Sequence, residues 1–212
     1  MPEIGPDEVR AGEADVAVMN RRPADPSELI IRNYNHSSTV PLATPEYLRR
    51  HGVPKSPEDL RQHTGLLHKA FSDDTVTQQL FQNGRGSEIL RWRKTFVTHD
   101  QLTLKRLLLE HHGITVDLSI IHCGEELKRG EVVPILRGWQ KAPWNMCLVN
   151  RREDELKNAK LRNFVLWITA AARDDMRAWG VENDRIIAEA YERFEAQLAA
   201  GELGEKDAEA AS

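Results

Sequence analysis

The chain has 212 residues and a formal net charge of −4, with 40% hydrophobic and 29% charged residues. This balance is ordinary for a globular protein with one sizeable core or two small lobes. The negative charge provides no basic field for a nucleic-acid backbone, so direct binding of DNA or RNA by this chain alone is disfavoured.

The N-terminal residues lack the pattern of an export signal, and no later run is long enough to predict a membrane span. Cys123 and Cys147 lie far apart and outside any metal-ligand spacing, so we interpret both as reduced thiols. These features predict a cytosolic protein that holds no metal and needs no cofactor.

The first half of the chain alternates helix and strand signals. Gly12 is expected to stop a helix that ends near Ala11, and residues 15–19 form an apolar strand that looks too uninterrupted to be half-solvated. The next predicted elements, in order, are a weak strand over residues 28–42, a helix opened by Thr44-Pro45 and ending near Gly52, a second short helix from Ser56-Pro57, and a strand over residues 65–68.

Residues 94–118 read as a strand, a helix and a second strand. Thr98 and Gln101 have capping-box spacing, so a leucine-rich helix is predicted from about His99. Gly113 is expected to supply the left-handed residue that ends this helix before the strand over residues 114–116. Such a βαβ unit places free helix amides at the carboxyl edge of a sheet, where small anions bind in open α/β folds.

The sequence of the second half of the chain predicts more helix than strand. Its predicted elements are a helix over residues 119–128 stopped by Gly130, a strand over residues 132–136 whose Pro134 argues for a sheet edge, a strand over residues 144–149, a long helix over residues 156–179, an amphipathic helix over residues 182–199, and a disordered tail after Gly201.

Enzyme motifs are missing from the sequence. It has neither a G-x-S-x-G elbow nor a Gly-rich phosphate loop, so we expect no enzyme activity. His111 and His112 with Asp117 suggest a metal site, but adjacent helical residues point about 100° apart and cannot easily share one ion. Trp139 and Trp144 are interpreted as packing residues.

Five segments together resemble one known family, the effector-binding domain of LysR-type transcriptional regulators. These segments are EADVAVMNRRPADPSELIIRNY, PLATPEYLRRHGVPKSPEDLRQHTGLLH, VTHDQLTLKRLLLEHHGITVDL, ELKRGEVVPILRGW, and WNMCLVNRRE with LKNAKLRNFVLWI. The resemblance implies an α/β, two-lobed periplasmic-binding-protein-like fold with a small-molecule cleft. It implies an incomplete first lobe over residues 12–34 and 137–175, a second lobe over residues 35–136, and a helical extension with a disordered tail over residues 176–212.

The resemblance also implies a function and a site. It predicts an effector-sensing domain that binds a small anionic or aromatic molecule, that meets DNA only through a winged helix-turn-helix not seen in this sequence, and that forms at most a weak homodimer. A lone metabolite-binding protein and a truncated remnant are the alternatives. The expected ligand contacts are Asn33, Lys69, Phe71, Thr98, His99, Asp100, Val116 and Asp117.

Overall fold

The computed structural model describes residues 4–19, 22–37, 39–69, 78–82, 86–142 and 144–202. The chain divides into two compact units. Unit 1 comprises Met1–Ser37 and Pro143–Glu182, and unit 2 comprises Ser38–Ala142 and Asn183–Ser212.

The described part of the chain contains both strands and helices. The strands are β1 (Val16–Met19), β2 (Leu29–Ser37), β3 (Leu42–Ala43), β4 (Thr64–His68), β5 (Gln79–Gln82), β6 (Gly86–Ile89), β7 (Lys94–Thr98), β8 (Ile114–Thr115), β9 (Val133–Pro134), β10 (Trp139–Lys141) and β11 (Trp144–Arg151). The α-helices are α1 (Pro6–Ala11), α2 (Pro45–His51), α3 (Gln101–Leu109), α4 (Ile120–Arg129), α5 (Arg152–Lys157) and α6 (Ala159–Ala199), and a 3-10 helix covers Pro57–Gln62.

Unit 1 is built on an antiparallel sheet of order β1-β11-β2. Its core includes Ala17 of β1 together with Val9 of α1. The expectation that β1 is buried on both faces is wrong, because Val18 is 61% exposed whereas Ala17 is 2% exposed. As an edge strand of an antiparallel sheet, β1 shows the alternation of a half-solvated strand.

Unit 2 contains a five-stranded sheet of order β7-β4-β8-β3-β9. Strand β4 runs parallel to both β7 and β8, so β7, α3 and β8 form the predicted βαβ unit. Strand β3 is antiparallel to β8 and β9, and Pro134 of β9 lies at the sheet edge, as predicted. A second, antiparallel sheet has the order β10-β5-β6.

The core of unit 2 covers both faces of its larger sheet. Leu42 and Ala43 of β3 belong to two different apolar clusters. Successive side chains of a strand point to opposite faces of the sheet, so the two clusters lie on opposite faces. The last part of α6 completes these clusters with Ile186, Ala190 and Phe194.

Helix boundaries that rest on local backbone chemistry are confirmed. Gly12 and Gly130 end α1 and α4 in the left-handed conformation, with φ of 79° and 74°. Thr44 caps α2, since its Oγ1 accepts a hydrogen bond of 3.3 Å from the Tyr47 amide. The segment starting at Ser56-Pro57 is helical as expected, but it is a 3-10 helix.

The turn after α3 differs from the sequence prediction. His111, and not Gly113, adopts the left-handed conformation, with a φ of 61°. Its ring nitrogen Nδ1 lies 2.9 Å from Oγ1 of Thr44, a hydrogen bond that holds the turn. Gly113 is required for another reason, because a Cβ there would overlap the backbone carbonyl of Thr64 on β4.

The C-terminal helices also differ from the prediction. A single α6 of 41 residues replaces the two expected helices, and the helix runs through Gly180. A glycine weakens a helix interior by only about 1 kcal/mol and keeps its backbone donor, so it need not end the helix. Strands β5, β6 and β10 and the short helix α5 have no counterpart among the predicted elements.

We predict that Gly113→Ala destabilises unit 2 by about 2 kcal/mol, since the added methyl group overpacks a contact with backbone that cannot rotate away. The measurement is the free energy of unfolding in urea. Gly124→Ala is the matched control: its Cβ would meet only Ile186 Cδ1 at 3.6 Å inside α4, so it should be neutral or stabilising. Equal effects of the two substitutions would contradict the packing argument.

Candidate functional site

The candidate site lies at the carboxyl edge of the larger sheet of unit 2. The parallel register pairs His68 at the end of β4 with Thr98 at the end of β7. The residues that follow these strands, Lys69 and His99, therefore meet at one edge together with Val116, which follows β8. The backbone confirms this proximity, since the Lys69 amide donates to the Thr98 carbonyl at 2.9 Å.

Asp117 is the buried anion of this edge, and its side chain is 0% exposed. Its Oδ1 pairs with the ammonium group of Lys141, and its Oδ2 accepts from the Gln78 side-chain amide. The Oδ2 atom also accepts from the backbone amide of His68 at 2.9 Å. A buried carboxylate is tolerated only when its charge and lone pairs are satisfied, and these three donors meet that condition.

A second layer of hydrogen bonds fixes the donors of Asp117. Trp92 Nε1 donates to Gln78 Oε1 at 2.9 Å, which orients the Gln78 amide. The Lys141 amide donates to the Thr39 carbonyl at 2.9 Å, and Thr39 Oγ1 donates to the Val116 carbonyl at 2.6 Å. The donors of Asp117 are therefore themselves held in place by further hydrogen bonds, which fixes the geometry of the site.

The start of α3 is capped by Asp100, and the prediction that Thr98 is the cap is wrong. Asp100 Oδ2 accepts from the Thr103 amide at 2.6 Å and from the Thr103 hydroxyl at 2.8 Å. These hydrogen bonds hold the pKa of Asp100 below its usual value. A carboxylate is a charge-assisted acceptor that also favours the positive end of a helix, so it competes well with a threonine hydroxyl.

Gln101, expected to complete a capping box, instead links α3 to the loop after β8. Its Nε2 donates to the Asp117 carbonyl at 3.0 Å, and its Oε1 accepts from the Ser119 amide at 3.2 Å. The helix start and the loop that carries Asp117 are therefore joined by one side chain.

His99, which is exposed, and Lys69, which is half-buried, form the solvent-facing part of the site. His99 Nδ1 lies 2.6 Å from the Lys69 carbonyl oxygen. Because a carbonyl oxygen only accepts, Nδ1 carries the proton of this hydrogen bond. Next to them, burial lowers the pKa of His68, and the nearby charge of Asp117 opposes that shift.

Most of the predicted ligand contacts converge on this edge. Lys69, Thr98, His99 and Asp100 lie at its surface, whereas Val116 and Asp117 are fully buried behind them. Their contact with a ligand stays a prediction. His68, Gln78 and Lys141 belong to the same cluster but were missed by the sequence reasoning. Only His68, at the end of a predicted strand, carried a sequence signal.

The two remaining predicted ligand contacts are Phe71 and Asn33. Phe71 lies outside the described residues. Asn33 is on β2 in unit 1, where its carbonyl accepts from the Arg173 guanidinium at 3.1 Å. The Asn33 side-chain oxygen is buried and has no hydrogen-bond partner among the described residues.

The remaining chemistry-bearing residues have structural surroundings. No three His, Cys, Asp or Glu side chains of the described ranges are grouped so that they could hold a metal ion. Both cysteines are buried and free, and burial raises the pKa of Cys123 to about 12. None of the helices in the described part of the chain is long and apolar enough to span a membrane.

Sequence comparison shows the family. The family model described as LysR substrate binding domain matches residues 5–173. The HTH-type transcriptional activator AaeR of Escherichia coli K12 is 27% identical over 130 residues, which are 61% of this chain and 41% of that protein. An uncharacterized HTH-type transcriptional regulator of Haemophilus influenzae is 27% identical over 135 residues, 62% of this chain and 45% of its own length. The chain thus spans less than half of these curated relatives.

Solved structures show the same fold. The regulatory domain of AphB from Vibrio vulnificus aligns with a TM-score of 0.63 and 24% identity, covering 81% of this chain and 82% of that one. CrgA from Neisseria meningitidis, a LysR-type transcriptional regulator, aligns with a TM-score of 0.63 and 23% identity over 80% of this chain and 56% of that one. The α/β, two-lobed periplasmic-binding-protein-like fold implied by the sequence is confirmed.

We predict that Lys141→Met lowers the free energy of unfolding by about 3 kcal/mol, because it leaves the Asp117 carboxylate buried without a cation. Urea denaturation measures the loss. The control Lys157→Met removes an ion pair in which both side chains are 72% exposed and should change little. Adding Asp117→Asn to Lys141→Met should restore part of the stability. A double variant less stable than Lys141→Met would contradict the role of the buried charge.

We also predict an acid-sensitive contribution from His68. Since its pKa is lowered in the folded state, the unfolded chain takes up the proton first, and stability falls as the pH drops below about 6.5. The loss of melting temperature between about pH 7.5 and about pH 5.5 should be smaller in His68→Gln than in the unsubstituted protein.

Proposed function

The chain belongs to the LysR substrate-binding domain family, and from this premise we propose that it is the effector-sensing domain of a LysR-type transcriptional regulator. The match over residues 5–173 is the observation that carries the proposal. In this function a small molecule binds the domain, and the binding energy changes the activity of DNA-binding segments of the complete regulator. A regulator of transcription acts where the DNA is, so the proposal places it in the cytoplasm.

We place the effector site of unit 2 at the carboxyl edge that carries Lys69, Thr98 and His99. Lys69 offers a positive charge there, and the His99 ring and the Thr98 hydroxyl offer polar contacts. The neighbouring anion, Asp117, is already balanced by Lys141 and adds no unpaired negative charge. These groups favour an anionic effector, such as a small carboxylic acid.

The start of α3 does not offer a vacant anion site. Asp100 already takes the Thr103 amide, so a ligand carboxylate at that amide would have to displace a residue of like charge. The proposal therefore assigns the recognition of the carboxylate to Lys69 and His99, and assigns to Asp100 the positioning of α3. An uncharged donor group of the effector suits the exposed carboxylate of Asp100.

No observation favours enzyme activity, and the family and its relatives are regulators. Coupling to DNA binding rests on the relatives, since the chain covers 41% of AaeR. The local site can be tested without that coupling, because a ligand that binds only the folded protein raises its melting temperature.

We predict that at least one small aliphatic or aromatic carboxylic acid raises the melting temperature in a thermal-shift screen. At a hundredfold excess over its Kd such a ligand stabilises the folded state by about 2.7 kcal/mol. Lys69→Gln should reduce this shift strongly, since it removes the proposed cation. Lys55→Gln, an exposed lysine of the same unit, should leave it unchanged.

Two results would count against the proposed site. If no carboxylic acid in the panel shifts the melting temperature, the anionic effector class is rejected. If an acid stabilises the unsubstituted protein and Lys69→Gln equally, the effector binds elsewhere on the domain.

A further inference from the structure

Strand β6 lies at the end of the second sheet of unit 2, and no described strand pairs with its outer edge. It pairs with β5 through the register Leu80↔Glu88. The Leu90 amide donates to the Gln78 carbonyl at 2.8 Å, which fixes the phase of the ladder. Because hydrogen-bonded pairs alternate in an antiparallel ladder, Glu88 faces β5 with its backbone groups. The backbone groups of Ser87 and Ile89 therefore point away from β5.

These outward groups form a short template for another strand. Neither Ser87 nor Ile89 has a backbone hydrogen bond on that side to any described residue. Two residues spaced by two offer two amides and two carbonyls, the pattern that an added strand uses. This edge is accessible to solvent, since Ile89 is 63% exposed.

A groove of about 700 Å³ lies beside β6, and Ser87, Glu88 and Ile89 form one of its walls. Its other wall comes from the 3-10 helix through Ser56, Pro57, Glu58 and Arg61, and Arg91 and Trp139 also line it. Arg61 is paired with Glu58 at 2.9 Å. Glu88 and Arg91 have no ion-pair partner among the described residues, so the groove presents one negative and one positive charge along the β6 direction.

We propose that this groove binds an extended peptide segment of another protein, which adds to β6 as an antiparallel strand. Opposite Glu88 the segment carries a basic residue, and three residues before it an acidic residue that faces Arg91. Apolar side chains on both sides of the basic residue lie on the other face of the strand and contact Ile89. The charges select the partner, and the backbone bonds to Ser87 and Ile89 hold it.

A second copy of this chain fits the groove less well. Symmetric antiparallel pairing of two β6 strands through Ser87 and Ile89 would place Glu88 directly opposite Glu88. Like charges at directly opposed positions destabilise a strand pair. The charge pattern therefore favours a different polypeptide with the complementary order of charges.

The first test measures binding of a fluorescent, capped peptide, Glu-Thr-Val-Lys-Val-Thr, by anisotropy with the full chain. We expect saturable binding, together with slower exchange of the Ser87 and Ile89 amide hydrogens. Ser87→Pro should weaken binding about tenfold, because proline removes an outward donor that β5 does not use. The control Ser87→Ala loses the side-chain bond from Gln79 at 2.7 Å but keeps the amide, and should bind nearly as well.

The second test exchanges charges and does not depend on the proline variant folding. Glu88→Lys should weaken the peptide roughly two- to fivefold and improve, by a similar factor, a peptide in which Glu and Lys change places. Absence of saturable binding up to about 1 mM peptide would overturn the proposal. So would equal affinity of the two peptides for both proteins. Sedimentation that shows a dimer abolished by Ser87→Pro would assign the edge to a second copy instead.

Discussion

The buried charge of Asp117 is the constraint on which the described site depends. Its carboxylate has no access to water, and removing one partner from such a group typically destabilises a protein by about 3–5 kcal/mol. The partners come from three separate places in the chain, at His68, Gln78 and Lys141. The three strand ends are therefore held together by this buried network. Lys69 and His99 are positioned by it, although they are not among the partners of Asp117.

Much of the secondary structure could be predicted because it rests on local chemistry. Gly12, Gly130 and the Thr44-Pro45 pair act through their own backbone angles and nearest amides, so the sequence around them is sufficient. The buried partners of Asp117 could not be predicted in the same way. Lys141 and Gln78 are 24 and 39 residues away from it, and nothing in their neighbourhood distinguishes them from solvated side chains.

The errors also have physical causes. Thr98 and Asp100 both carry capping side chains, and only the geometry of the strand end decides that the aspartate caps α3. Gly113 matched the pattern of a helix-ending glycine, but the structure uses its missing Cβ to bring the chain against Thr64. The glycine therefore predicted the position of the turn correctly. The predicted reason, a left-handed backbone at Gly113, was wrong. Phe71 and the other residues outside the described ranges stay at the level of sequence prediction.

Thr44 shows how two distant segments share one atom. Its hydroxyl oxygen accepts the Tyr47 amide at the start of α2, and it lies 2.9 Å from the ring of His111, 67 positions further along. The left-handed residue at 111 is not a glycine, so it relies on surrounding contacts to remain in that conformation. Loss of this oxygen would therefore weaken both the start of α2 and the turn at His111. The two regions should consequently open together in native-state hydrogen exchange, as one cooperative folding unit.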